Sequence, residues 1–178
     1  MLGRFSFLNK RFAFLGGQAG FSLVEIIAVL VLLGIMGAGA GLGISNIVTG
    51  FMVTRDTSAI AGKAQLALLR LSRELRVITS VSAASATSIT FTALHGSGVS
   101  MTYTVSKSGD TITLNDGVNN DVLVDKVNAL TFAYYDTFAG APATTWATSR
   151  RMIQITMAMN GPNSNILSFV TRVTPRNL

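Results

Sequence analysis

The chain has 178 residues, 49% of them hydrophobic and only 12% charged, with a formal net charge of +6. A soluble domain carries about 25% charged residues, so the composition excludes an ordinary water-exposed globule and asks for a lipid-facing segment or a strongly apolar interface. With no cysteine, disulfides, zinc–thiolate sites and cysteine nucleophiles are excluded too.

The first 20 residues hold Arg4, Lys10 and Arg11 and no acid. Without them, 11 basic residues face 8 acidic ones. The pI near 10.3 therefore owes much to this leader. It argues for the cytoplasmic side of a membrane segment and against a nucleic-acid partner.

From Phe12 to Thr54 the only charged residue is Glu25. Residues 21–44 would span about 36 Å as a helix, enough to cross a hydrocarbon core of about 30 Å. No other stretch is long and apolar enough, so one anchor is expected. Gly34, Gly37, Gly39, Gly41 and Gly43 crowd its second half. The pairs Gly37/Gly41 and Gly39/Gly43 are four apart, the spacing that lets helices approach closely in lipid. The other reading is a soft, kinkable helix, and the two are compatible.

Polarity returns at Arg55, and the spacing predicts that the helix continues through residues 45–80. Leu68, Leu71, Leu75 and Ile78 make one apolar stripe, expected to lie on the sheet that follows. Lys63, Arg70, Arg73 and Arg76 fall largely off it. Arg70 and Glu74 form an i,i+4 pair worth ~0.3 kcal/mol.

Beyond Ser80 the period shortens to two, and residues 81–178 read as a β-rich domain. The Ser- and Ala-rich residues 81–88 read as a hinge. Strands are predicted around Ile89–Ala93, Val99–Val105, Thr111–Leu114, Val122–Val124, Leu130–Tyr135, Met152–Met159 and Leu167–Val173. The breaks are turn sequences beginning at His95, Lys107, Asn115 and Asn160. Short links favour an antiparallel meander. The fold class is therefore α+β: a long N-terminal helix followed by an antiparallel sheet, with no βαβ alternation.

Three side-chain groups can be read in two ways. Asn115, Asp116, Asn119, Asn120, Asp121 and Asp125 offer oxygens that suit calcium, but Asn-Asp-Gly is ordinary hairpin chemistry and turn chemistry is the preferred reading. His95, the only histidine, stands beside a Gly-Ser-Gly turn with no acid near it in sequence. In the longest irregular stretch, 136–149, Trp146 and Phe138 lie near Arg150 and Arg151. Their rings either cover the sheet or, with Trp146, Arg150 and Arg151, form a partner surface. No paired-carboxylate or histidine–nucleophile arrangement supports an enzyme, and neither a metal site nor a cofactor is expected.

The decisive residues are Gly20-Phe21-Ser22-Leu23-Val24-Glu25 ahead of the apolar run. They resemble the class III signal of type IV prepilins and type II secretion pseudopilins. The resemblance implies a pilin-like fold and removal of residues 1–20 by a prepilin peptidase that cuts between Gly20 and Phe21. It also implies methylation of Phe21, and pairing of Glu25 with the N-terminal amine of a neighbouring subunit. The expected partners are that peptidase/methyltransferase, other pilins or pseudopilins and an inner-membrane assembly platform. The expected setting is a bacterial inner membrane, crossed once with the N-terminus cytoplasmic, and then a filament.

The rival processing site is Ala38-Gly39-Ala40, a secretory signal-peptide pattern that would release a soluble domain starting at Gly41. The carboxylate of Glu25 within the apolar core argues against it. Departures from the family are Leu42 where many pilins carry a helix-breaking proline, the missing cysteine pair, and no clear calcium site. The Leu130-Thr-Phe-Ala-Tyr-Tyr-Asp stretch and the ending Val173-Thr-Pro-Arg-Asn resemble minor pilins of the W type and J-type minor pseudopilins. The expected role is thus a minor or tip subunit in filament initiation; the alternatives are a major subunit or an adhesive or DNA-binding minor pilin.

Overall fold

The structure, a computed structural model, describes residues 20–96 and 98–178. The leader and its basic residues 4, 10 and 11 lie outside the described residues, apart from Gly20. The chain divides into two compact units, one ending at Ile47 and the other Val48–Leu178. One α-helix, α1 (Leu23–Arg76, 54 residues), runs through both.

In the first unit every described residue is exposed. The helix is unbroken across Gly34, Gly37, Gly39, Gly41 and Gly43. A Cβ at any of the five would meet nothing within 4 Å. The chain itself therefore fills none of the space these glycines leave. Among the described residues α1 is the one helix long and apolar enough to cross a membrane.

In the second unit α1 becomes amphipathic. Ile60, Ala64, Ala67, Leu68, Leu71 and Leu75 are buried, at the three- and four-residue spacings that place them on one face. Lys63, Arg70, Arg73 and Arg76 are exposed, as expected. The Arg70–Glu74 pair does not form: the Glu74 carboxylate is taken by His95 instead.

The helix stops at Arg76, and the hinge expected over 81–88 is replaced by a strand, β1 (Ile78–Ala84). Ile78 is thus buried from the sheet rather than from the last helical turn. No glycine or proline marks this boundary. The Val77 N–H turns back to the Glu74 carbonyl, and the Arg76 carbonyl accepts from the Arg176 N–H at 3.0 Å. Two register shifts against the next strand disrupt the alternation of β1, which is why its small polar residues look irregular in sequence.

β1 opens a five-stranded antiparallel meander with β2 (Ser88–Leu94), β3 (Ser100–Ser108), β4 (Thr111–Asn115) and β5 (Asn120–Val124). A second, three-stranded antiparallel sheet holds β6 (Val127–Tyr135), β7 (Met152–Asn160) and β8 (Ile166–Val173). The expected meander is present, but as two sheets. The switch falls at Lys126, whose φ of 59° is a conformation that non-glycine residues seldom adopt.

Both sheets and the helical stripe share one core. Phe91, Ile112, Phe132, Tyr134, Ile155 and Met157 are buried together with Leu71 and Leu75. The sheets are tied at residues 85–86: the Phe132 N–H donates to the Ala86 carbonyl at 2.8 Å, and the Tyr134 hydroxyl donates to the Ser85 carbonyl at 3.0 Å. Burial pushes the Tyr134 phenol well above its ordinary pKa, so it remains a donor.

Candidate functional site

Gly20, Phe21 and Ser22 precede α1 and are not helical. Ser22 is the N-cap. Its side-chain oxygen accepts from the Glu25 N–H at 3.2 Å, and its carbonyl accepts from Glu25 and Ile26. This satisfies donors that every helix start leaves open. Sequence reasoning passed over Ser22, although Ser-x-x-Glu ahead of an apolar run is the signature of a capped helix start.

The cap places Glu25 in the first turn of α1, where the helix dipole favours a negative charge. Phe21, 76% exposed, shares with Glu25, Ile26, Val29 and Leu30 a shallow depression of about 260 Å³. Phe21, which would carry a new N-terminus, and Glu25, expected to answer the amine of a neighbouring subunit, therefore line one depression. None of the three ion pairs among the described residues involves Glu25.

The other candidates are placed more plainly. Trp146 packs edge-on against Tyr134, with ring centroids 5.7 Å apart at 85°, and lies against the core. That is the ring-covers-sheet arrangement. Arg150 is held by Asp136 at 2.8 Å, and Arg151 donates to the Leu178 carbonyl at 3.0 Å. Phe138 is 76% exposed, with Arg172 stacked over its ring and over that of Tyr135.

Three residues of the acidic hairpin and its flank, Asn115, Asp116 and Asp125, have their side-chain oxygens engaged. Asn115 Oδ1 accepts from the Gly117 N–H at 2.7 Å. Asp116 Oδ1 accepts from Val118 and Asn119 at 2.9 and 2.6 Å. Those backbone donors hold the Asp116 carboxyl below its usual pKa. Gly117, at φ 90°, supplies the left-handed residue the turn needs. Asp125 is paired with Lys63 at 2.7 Å, which lowers its pKa. Asn115, Asp116 and Asp125 thus serve turn and ion-pair contacts, and among the described residues no group of three or more acids or histidines is placed to hold a metal.

The family described as the prokaryotic N-terminal methylation motif matches residues 15–41. That span takes in Gly20, Phe21, the capped helix start and Glu25. The match supports a type IV pilin-like prepilin with a class III signal. It implies a structural subunit rather than an enzyme, processed by prepilin peptidase and assembled with other pilins. Motif and apolar helix together fit a membrane-anchored pilin. No curated protein matches the chain.

Proposed function

We propose that the chain is a minor or tip subunit of a type IV pilus or type II secretion pseudopilus, acting in filament initiation. Residues 1–20 are the leader, cut off between Gly20 and Phe21, and Phe21 is then methylated. Residues 21–44 are the anchor and filament-core helix, 45–80 its amphipathic continuation at the sequence level, and 81–178 the extracytoplasmic domain. The N-terminus faces the cytoplasm.

The observation that carries this reading is the methylation motif over residues 15–41, seated on a helix whose only acid in the apolar span is Glu25. A carboxylate at mid-bilayer costs about 2.5–3.5 kcal/mol on insertion scales, so it needs a partner. Cleavage creates an amine on Phe21, and methylation keeps its charge. A neighbour's amine answers Glu25, and desolvation limits the net gain, so the pair sets register and recruitment more than stability. Gly37, Gly41, Gly39 and Gly43 offer the close helix–helix approach such packing uses.

The minor role is supported by the long β region, the absence of cysteine and the likeness of 130–136 and 173–177 to W-type and J-type subunits. The peptidase/methyltransferase, neighbouring pilins and an inner-membrane assembly platform are the partners. Sequencing the mature N-terminus tests the processing: methylated Phe21 is expected, and a start at Gly41 would overturn it. Quantifying the chain in sheared filaments tests the minor role. A copy number matching the most abundant subunit would make it a major pilin.

A further inference from the structure

The edge of an open sheet presents unpaired N–H and C=O groups on which another chain can pair. The two sheets end in β1, β5, β6 and β8, and the first three edges are blunted. β1 is interrupted by two register shifts. β5 is five residues long, carries a shift of its own and exposes Asp121. β6 is partly covered: the Phe132 N–H donates to the Ala86 carbonyl, and Tyr134 exchanges both backbone bonds with Ala143.

β8 has none of these protections. It pairs with β7 over eight residues without a shift, and it contains neither proline nor lysine. Among the described residues it makes no backbone–backbone hydrogen bond outside that pairing. Val170 on it is 59% exposed. Beside this edge lies a groove of about 500 Å³, between Leu68, Leu69 and Ser72 of α1 and Phe169 and Val170 of β8. At Leu69 and Ser72 it adjoins a smaller depression of about 220 Å³ that takes in Arg73 and Arg76. The chain leaving β8 arrives at the same place, where the Arg176 N–H meets the Arg76 carbonyl. Arg73 and Arg76 are exposed and enter none of the ion pairs among the described residues. The edge, the apolar groove and the free positive charge are therefore continuous.

We infer that β8 is a docking edge for an extended strand of a different protein chain, apolar at alternate positions and acidic at the end beside Arg73 and Arg76. An added strand lies about 4.8 Å from its neighbour and closes the open backbone bonds, which supply affinity while side-chain pockets supply specificity. Its side chains alternate, so every second one enters the groove against Leu69 and Phe169. The host sheet is antiparallel throughout, and antiparallel ladders are the more stable kind. The incoming strand therefore starts at the C-terminal end of β8, and its acids lead. The β8 of a second copy contains no acid and would leave both arginines unanswered.

The probe is an acetylated peptide of two aspartates followed by alternating threonine and valine, matched to the eight residues of β8 and added to the full-length protein in detergent. Amide exchange at alternate residues of β8 should slow about tenfold or more on binding, with β1 and β5 unchanged. Arg73→Asp should weaken this peptide about tenfold and strengthen one led by two lysines. A proline at the centre of the peptide should abolish the protection. Unchanged exchange on β8, equal binding of the lysine-led or proline-bearing peptide, or protection of the same amides by self-association of the chain each overturn the inference. Filament entry is no part of this readout, so its failure would bear on the filament reading alone.

Discussion

His95 Nε2 stands 2.9 Å from Glu74 Oε2 and joins the last turn of α1 to the β2–β3 turn. The Glu74 side chain is only 13% exposed, so it depends on this partner. His95→Ala should cost about 1–2 kcal/mol by stranding the carboxylate. Glu74→Gln, which can still meet the ring by a hydrogen bond, should cost less. Thermal unfolding of the full-length protein in detergent reads the difference as a few degrees. Equal losses would show that the pair does not act as a unit.

Trp146 is expected to serve the fold. Its edge-on contact with Tyr134 predicts that Trp146→Ala lowers stability by about 1–2 kcal/mol and Trp146→Phe by less. An alanine variant with unchanged melting but lost assembly would assign the ring to a partner surface.

Acid should loosen the domain at the β4–β5 hairpin and at the ion pair between α1 and the β5–β6 link. Lys63 holds Asp125 below its usual pKa, and the turn N–H groups do the same for Asp116. A carboxyl depressed in the folded state contributes stability above its unfolded pKa of about 3.9, and that contribution fades as pH falls through the lower folded value. Melting temperature should therefore drop below about pH 4. Asp116→Asn with Asp125→Asn should flatten that acid limb without altering the curve near neutrality in shape.

Glu25→Gln should leave membrane insertion and cleavage intact while lowering incorporation into filaments about tenfold. The cap at Ser22 and the Gly20–Phe21 bond are untouched by this change. Equal incorporation of the variant would remove the electrostatic role.

The apolar run, the amphipathic stripe and the hairpin turns were legible because each depends on local periodicity or turn chemistry. β1 was not: its residues 80–84 are serine, valine and alanine, and its pairing with β2 is interrupted twice. Nor was the division into two sheets, which falls at Lys126 with its positive φ. In the candidate site, Gly20, Phe21 and Glu25 were readable as a contiguous motif. The Glu74–His95 pair, 21 residues apart, was invisible because only the folded helix and sheet bring it together.

The cap at Ser22 has a further consequence. A protease must hold its substrate as exposed, unwound chain, whereas lipid tolerates only backbone whose hydrogen bonds are closed. The Ser22 hydroxyl marks the border between those two demands. On one side lies Gly20–Phe21, the proposed cut, in non-helical chain; on the other, one residue later, begins the helix. If the cut falls there, the subunit would leave the enzyme with its capped helix start intact.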